Sequence, residues 1–199
     1  MLAEVGLTAV LVDAPHHGAR HGDVVGTMPD ALSIEGHRVL LRLLREGRDE
    51  VPGLVDHLMQ LGHRKVAIAG VSFGAFIALA AATIEPRLAA IVSLLGTPDW
   101  TPRDGVVPDD LAEAVAESPH LRFATFAPRP LLLINGERDD NVRPRAAREL
   151  AAKLRPIYEA AGAGPLVHRE LPTGHFPNAA DWNEMWSTAA TFLVEALGR

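Results

Sequence analysis

A chain of 199 residues with 48% apolar side chains is long enough to bury one sizeable core and too short for a second full domain. Its formal charge of -6, with basic residues scattered among acids, argues against a general nucleic-acid binder, which needs clustered Lys and Arg to meet phosphate. The absence of cysteine removes a disulfide framework, a thiolate metal site and a thiol nucleophile.

Residues 1–15 are apolar but carry Glu4 early and lack a basic leader, so they read as structure and not as a signal peptide. No apolar stretch reaches the roughly 20 residues that span a bilayer. A soluble, cytoplasmic protein without a membrane partner is expected. Gly6 reads as the stop of a short helical turn, and the aliphatic run at 7–12 as a strand ending at Asp13-Ala14-Pro15. Residues 34–61 have helical spacing, with Val51, Leu54, Val55, Leu58 and Met59 recurring at three and four, and Gly47 and Pro52 are expected to divide the segment.

The runs at 66–69, 91–95 and 131–134 have the look of buried strands, and 167–171 of a more polar last strand. Helical stretches at 75–84, 144–161 and 180–197 alternate with them. That alternation predicts an α/β fold with a mostly parallel, doubly wound sheet and helices on both faces. The stretch 97–128 holds five prolines around one short helical candidate at 109–117, and reads as a lid-like insertion in a single domain. The Asp109-Asp110 pair within it is expected to cap that helix.

The strongest local signal is Gly70-Val71-Ser72-Phe73-Gly74, set between a predicted strand and a predicted helix. By itself the pattern reads equally well as an ordinary strand-to-helix turn. Its context is what a nucleophile elbow needs, because a sharp turn that presents a serine forces strand and helix close together. Gly70 and Gly74 are both expected to give the clearance. A serine hydroxyl is a poor nucleophile without a base, and the base needs a carboxylate to fix its tautomer. Asp139, in the loop after 131–134, and His175, in the loop after the last strand, lie at the same sheet edge as Ser72.

Taken together, GVSFG, NGERDDNVRP and PTGHF resemble the α/β-hydrolases, and most nearly the dienelactone-hydrolase and prolyl-oligopeptidase-like esterases. The resemblance runs from about Leu7 to the C-terminus. It implies a carboxylesterase-type serine hydrolase acting on a small-molecule ester, with Ser72 as nucleophile, His175 as base, Asp139 in preference to Asp140 as acid, and the backbone N–H of Phe73 as an oxyanion donor. The segment Asp13-Ala14-Pro15-His16-His17-Gly18 resembles the loop that borders the site after the fourth strand. His17, Gly18, Trp100 and Phe176 are accordingly candidate substrate contacts. No metal or organic cofactor is implied.

The chain departs from the family in lacking a third strand and its following His-Gly-type loop, which supply a second oxyanion donor. Loss of such a donor typically costs on the order of 10²- to 10³-fold in turnover. The resemblance thus implies an N-terminally shortened hydrolase whose sheet has a gap beside residues 66–69, which direct strand pairing or another copy of the chain, in a homo-oligomer, could fill. A non-catalytic α/β-hydrolase-like interaction protein is the alternative.

The remaining signals have plain explanations. His16, His17 and His21 lack a carboxylate at ligand spacing and read as solvated or pocket-lining, while His37, His57 and His63 read as surface or helix-end residues. Trp182 and Trp186, four apart, are expected to anchor a helix in the core.

Overall fold

A computed structural model of the chain describes residues 6–20, 29–30 and 33–198. The expected helical turn before Gly6 and the side chain of His21 lie outside the described residues. Four parallel strands, β1 (Val66–Val71), β2 (Leu88–Leu94), β3 (Leu131–Gly136) and β4 (Leu166–Leu171), pair in that order. Between them run α2 (Phe73–Ala82), the short α3 (Ala112–Ala116) and α4 (Arg145–Ala161), with α1 (Ile34–Gln60) before the sheet and α5 (Ala179–Leu197) after it. Among the described residues no helix is long and apolar enough to cross a membrane.

The side-chain period of two divides each strand between two helical layers. Ala90, Val92, Leu94, Leu132 and Ile134 pack with Met185, Ala189 and Leu193 of α5 on one face. Ile91, Leu131 and Leu133 pack with Leu79 of α2 and with Leu150 and Leu154 of α4 on the other. Strands β2 and β3, covered on both faces, read in sequence as continuous apolar runs for that reason. Trp182 and Trp186 meet edge to face at 5.9 Å and pack, partly buried, against the α5 core.

Two expectations about elements are corrected. Residues 7–12 join no ladder: Val10, Leu11 and Val12 are exposed, Leu11 at 95%, and only Leu7 reaches the core. A strand's backbone groups need a neighbouring strand, and β1, the sheet's outermost strand on that side, pairs with β2 alone among the described residues. Gly47 and Pro52 do not divide α1, which runs unbroken for 27 residues. Val51 and Val55 bury on one side of it against Val66, Ala81 and Leu88, and this packing outweighs the backbone bond that Pro52 cannot make.

The stretch 97–128 carries α3, flanked by 3-10 turns at Asp109–Leu111, Pro119–Leu121 and Phe123–Thr125. Asp110 does not cap. No side chain caps the turn at Asp109–Leu111, and Asp110 instead accepts from Arg38 Nε of α1 at 2.7 Å. Arg45 reaches Glu117 at 3.2 Å, and the buried Arg48 pairs with the same Glu117. Leu41, Leu44, Phe76, Trp100, Leu111 and Val115 fill the space beneath these pairs.

Candidate active site

Ser72 lies between β1 and α2 with φ 49° and ψ -116°, a conformation that L residues seldom adopt. Its N–H donates to Leu94 O at 2.8 Å, and its carbonyl accepts from Ala75 and Phe76, so both sides of the turn are tied. The glycine requirement falls on one side only. A Cβ at Gly70 would stand 2.1 Å from Gly74 O, whereas one at Gly74 would meet nothing within 4 Å. The expected clearance by Gly74 is thus corrected: strand and helix approach through the space that Gly70 leaves.

Ser72 Oγ stands 2.9 Å from His175 Nε2, and His175 Nδ1 stands 2.8 Å from Asp139 Oδ2. A carboxylate only accepts, so Nδ1 carries a hydrogen, and the neutral ring then offers the Nε2 lone pair to the serine hydroxyl. Asp139 is 2% exposed, and its other oxygen accepts from the N–H of Asn141 at 2.9 Å and of Val142 at 2.8 Å. Three donors thus compensate a buried carboxylate. Asp140, its neighbour, is exposed. The two N–H donors were legible in Asp-Asp-Asn, since an Asp commonly accepts from the backbone two residues on.

Phe73 is the first residue of α2, whose opening N–H groups have no partner within the helix. Donors from Ala75 and Phe76 take the Ser72 carbonyl, and no hydrogen bond from the N–H of Phe73 is formed among the described residues. The Phe73 ring stacks on His17, with centroids 5.6 Å apart and planes at 24°. Gly18, at φ 56°, shapes the same loop: a Cβ there would lie 2.4 Å from Asp13 Oδ2, which accepts from Ala19 N. Gly18 therefore acts on the loop's shape. Phe176 meets the His175 ring edge-on at 5.4 Å and is 85% exposed.

Trp100 lies in the stretch 97–128. It is 2% exposed and forms part of the wall of a cavity of about 780 Å³ between α1, the 97–105 stretch and the 140–149 stretch. Phe76, one turn beyond the serine, and Asn141 also line it, but Ser72 and His175 do not. Its floor is apolar, from Leu40, Leu41, Leu44 and Phe76. His37, in the first turn of α1 and partly buried, has its Nε2 2.8 Å from Trp100 O and so ties the helix end to the cavity wall. His16 Nε2 lies 3.2 Å from Glu46 of α1.

The chain matches the prolyl oligopeptidase family over residues 52–199. It is 26% identical over 179 residues to a Bacillus subtilis (strain 168) protein named "Putative esterase YitV", covering 79% of this chain and 68% of that one. Among solved structures, TT1662 from Thermus thermophilus superposes with a TM-score of 0.69 at 25% identity, over 94% of this chain and 76% of that chain. Zea mays acyl-protein thioesterase 2 gives a TM-score of 0.47 at 19% identity, over 82% of this chain and 67% of its own.

Proposed function

The chain belongs to the prolyl oligopeptidase family of α/β-hydrolases, and from that premise we propose that it is a serine carboxylesterase in which Ser72 is the nucleophile, His175 the base and Asp139 the orienting acid. The observation that carries the proposal is the unbroken row Ser72–His175–Asp139, with contacts of 2.9 and 2.8 Å. In the first half-reaction His175 Nε2 takes the serine proton as Oγ bonds to the ester carbonyl carbon. The resulting imidazolium then protonates the departing alcohol, and an acyl-enzyme remains. In the second half a water gives its proton to Nε2 as its oxygen attacks the acyl carbon, and Nε2 then returns that proton to Ser72 Oγ as the carbon–Oγ bond breaks and the acid leaves. The N–H of Phe73 donates to the oxyanion in both.

Esters are favoured over amides as substrates on chemical grounds. An alkoxide leaves more readily than an amine, so with Phe73 as the one assigned oxyanion donor, a shortfall that falls on both reactions alike, the lower intrinsic barrier of the ester is the one the enzyme can meet. The name of the Bacillus subtilis relative agrees with that preference. A cavity of about 780 Å³, which Phe76 of α2 and Asn141 of the Asp139 loop line although Ser72 and His175 do not, falls within the common range for small-molecule sites, roughly 300–1,000 Å³, and suits an apolar part of the ester.

A fluorophosphonate probe tests the proposal, because it labels only an activated serine. Labelling of the wild type at Ser72, with none in Ser72→Ala, is the expected result. A folded wild type that takes no label would favour the non-catalytic reading, whose support is that single assigned oxyanion donor.

A further inference from the structure

The loop at residues 13–20 belongs to no strand or helix, yet it is anchored with some care. Arg20 grips Glu50 through both terminal nitrogens at 2.7 and 2.6 Å, and His16 meets Glu46 one turn earlier on the same face of α1. Within the loop, His17 N–H donates to Ala14 O at 3.0 Å, and Pro15 is buried. The result is a fixed position for one ring, that of His17, stacked on the ring of Phe73, the residue that follows Ser72 in the turn.

The chemistry of that ring is set by its other contact. His17 Nδ1 lies 2.7 Å from Pro15 O. A carbonyl oxygen has no hydrogen to give, so Nδ1 is the donor, and in the neutral ring the hydrogen-free nitrogen is Nε2. Nε2 has no hydrogen-bond partner among the described residues, and His17 is half-exposed. The loop thus presents an open acceptor across the ring from its own backbone.

We propose that His17 Nε2 accepts a hydrogen bond from a hydroxyl group on the ester, which makes His17 the residue that selects hydroxy-substituted substrates. The inference rests on the reading of Ser72 as the nucleophile. Acceptance is directional: the O–H of the substrate meets a lone pair, whereas an ether oxygen at that place would set two lone pairs against each other. The hydroxyl can belong to the acyl part or to the alcohol part of the ester, and matched pairs separate the two.

The test uses the purified chain with methyl 3-hydroxybutanoate against methyl 3-methoxybutanoate, and 2-hydroxyethyl butanoate against 2-methoxyethyl butanoate. In the wild type one pair should show a hydroxyl preference in kcat/KM of roughly three- to tenfold, the worth of one net hydrogen bond. His17→Phe keeps a ring over Phe73 without an acceptor and should bring that ratio close to its value for uncatalysed hydrolysis. His17→Gln, which retains an accepting oxygen, should restore part of it. Turnover with no hydroxyl preference in either pair, or a preference that survives unchanged in His17→Phe, overturns the assignment to His17 and leaves the esterase reading intact. No turnover of any of the four esters would instead count against the esterase reading.

Discussion

At Ser72 the positive φ is held by hydrogen bonds on both sides of the turn and by the empty space at Gly70. Gly70→Ala must move the backbone of α2 and is expected to cost about 3 kcal/mol or more, read by thermal unfolding. Gly74→Ala, one strand-helix turn away in the same motif, should leave stability unchanged or raise it by up to about 1 kcal/mol, since alanine favours the helix. Asp139→Asn keeps the shape of the acid but no longer holds the His175 tautomer, and should lower kcat by about 10³-fold or more. These positions were legible because each lies in a short motif at a strand end. The contacts of His17 with Phe73 and of His37 with Trp100 were not, since they join residues 56 and 63 apart in sequence that no local pattern links.

Among the elements, α1 and the 109–117 stretch are bound by pairs of opposite charge: Arg38 with Asp110, and Arg45 and Arg48 with Glu117. The outer pairs are exposed and contribute little. Arg48 is buried, and Glu117→Gln leaves its charge facing Asp49 as the one remaining carboxylate partner among the described residues. That change should destabilise the chain by roughly 2 kcal/mol, less than for a fully buried pair because Asp49 remains. Arg38→Gln, by comparison, should fall within about 0.5 kcal/mol of the wild type in the same denaturant titration. Strands β2 and β3 were readable from apolar runs bounded by Gly, Pro and Asn. Residues 7–12 carry an equally strand-like composition but join no strand, because a strand is completed by its neighbour and composition records nothing of that neighbour.

Across the whole molecule, helices on both faces of a four-stranded parallel sheet hold the loops after β1, β3 and β4 at one edge, so that residues 72, 139 and 175 meet there. The layer formed by α4 carries a titratable group of its own. Burial pushes the Tyr158 hydroxyl from 10.0 up to about 12, against the opposing effect of Arg129, and the hydroxyl donates to Arg129 O at 2.6 Å. The folded chain thus holds this proton more tightly than the unfolded one. The stability it contributes is complete below pH 10 and is lost as pH rises from about 10 to about 12, on the order of 2 kcal/mol. Unfolding measured at pH 9 and above pH 11 should show that loss in the wild type and a smaller one in Tyr158→Phe.

The most direct test of the central claim is hydrolysis of p-nitrophenyl acetate and p-nitrophenyl butyrate by the wild type and Ser72→Ala, with circular dichroism showing that both are folded. Turnover in the wild type that vanishes in the variant is the predicted result. Equal turnover in both proteins, or none from a folded wild type, would contradict a serine esterase built on Ser72, His175 and Asp139.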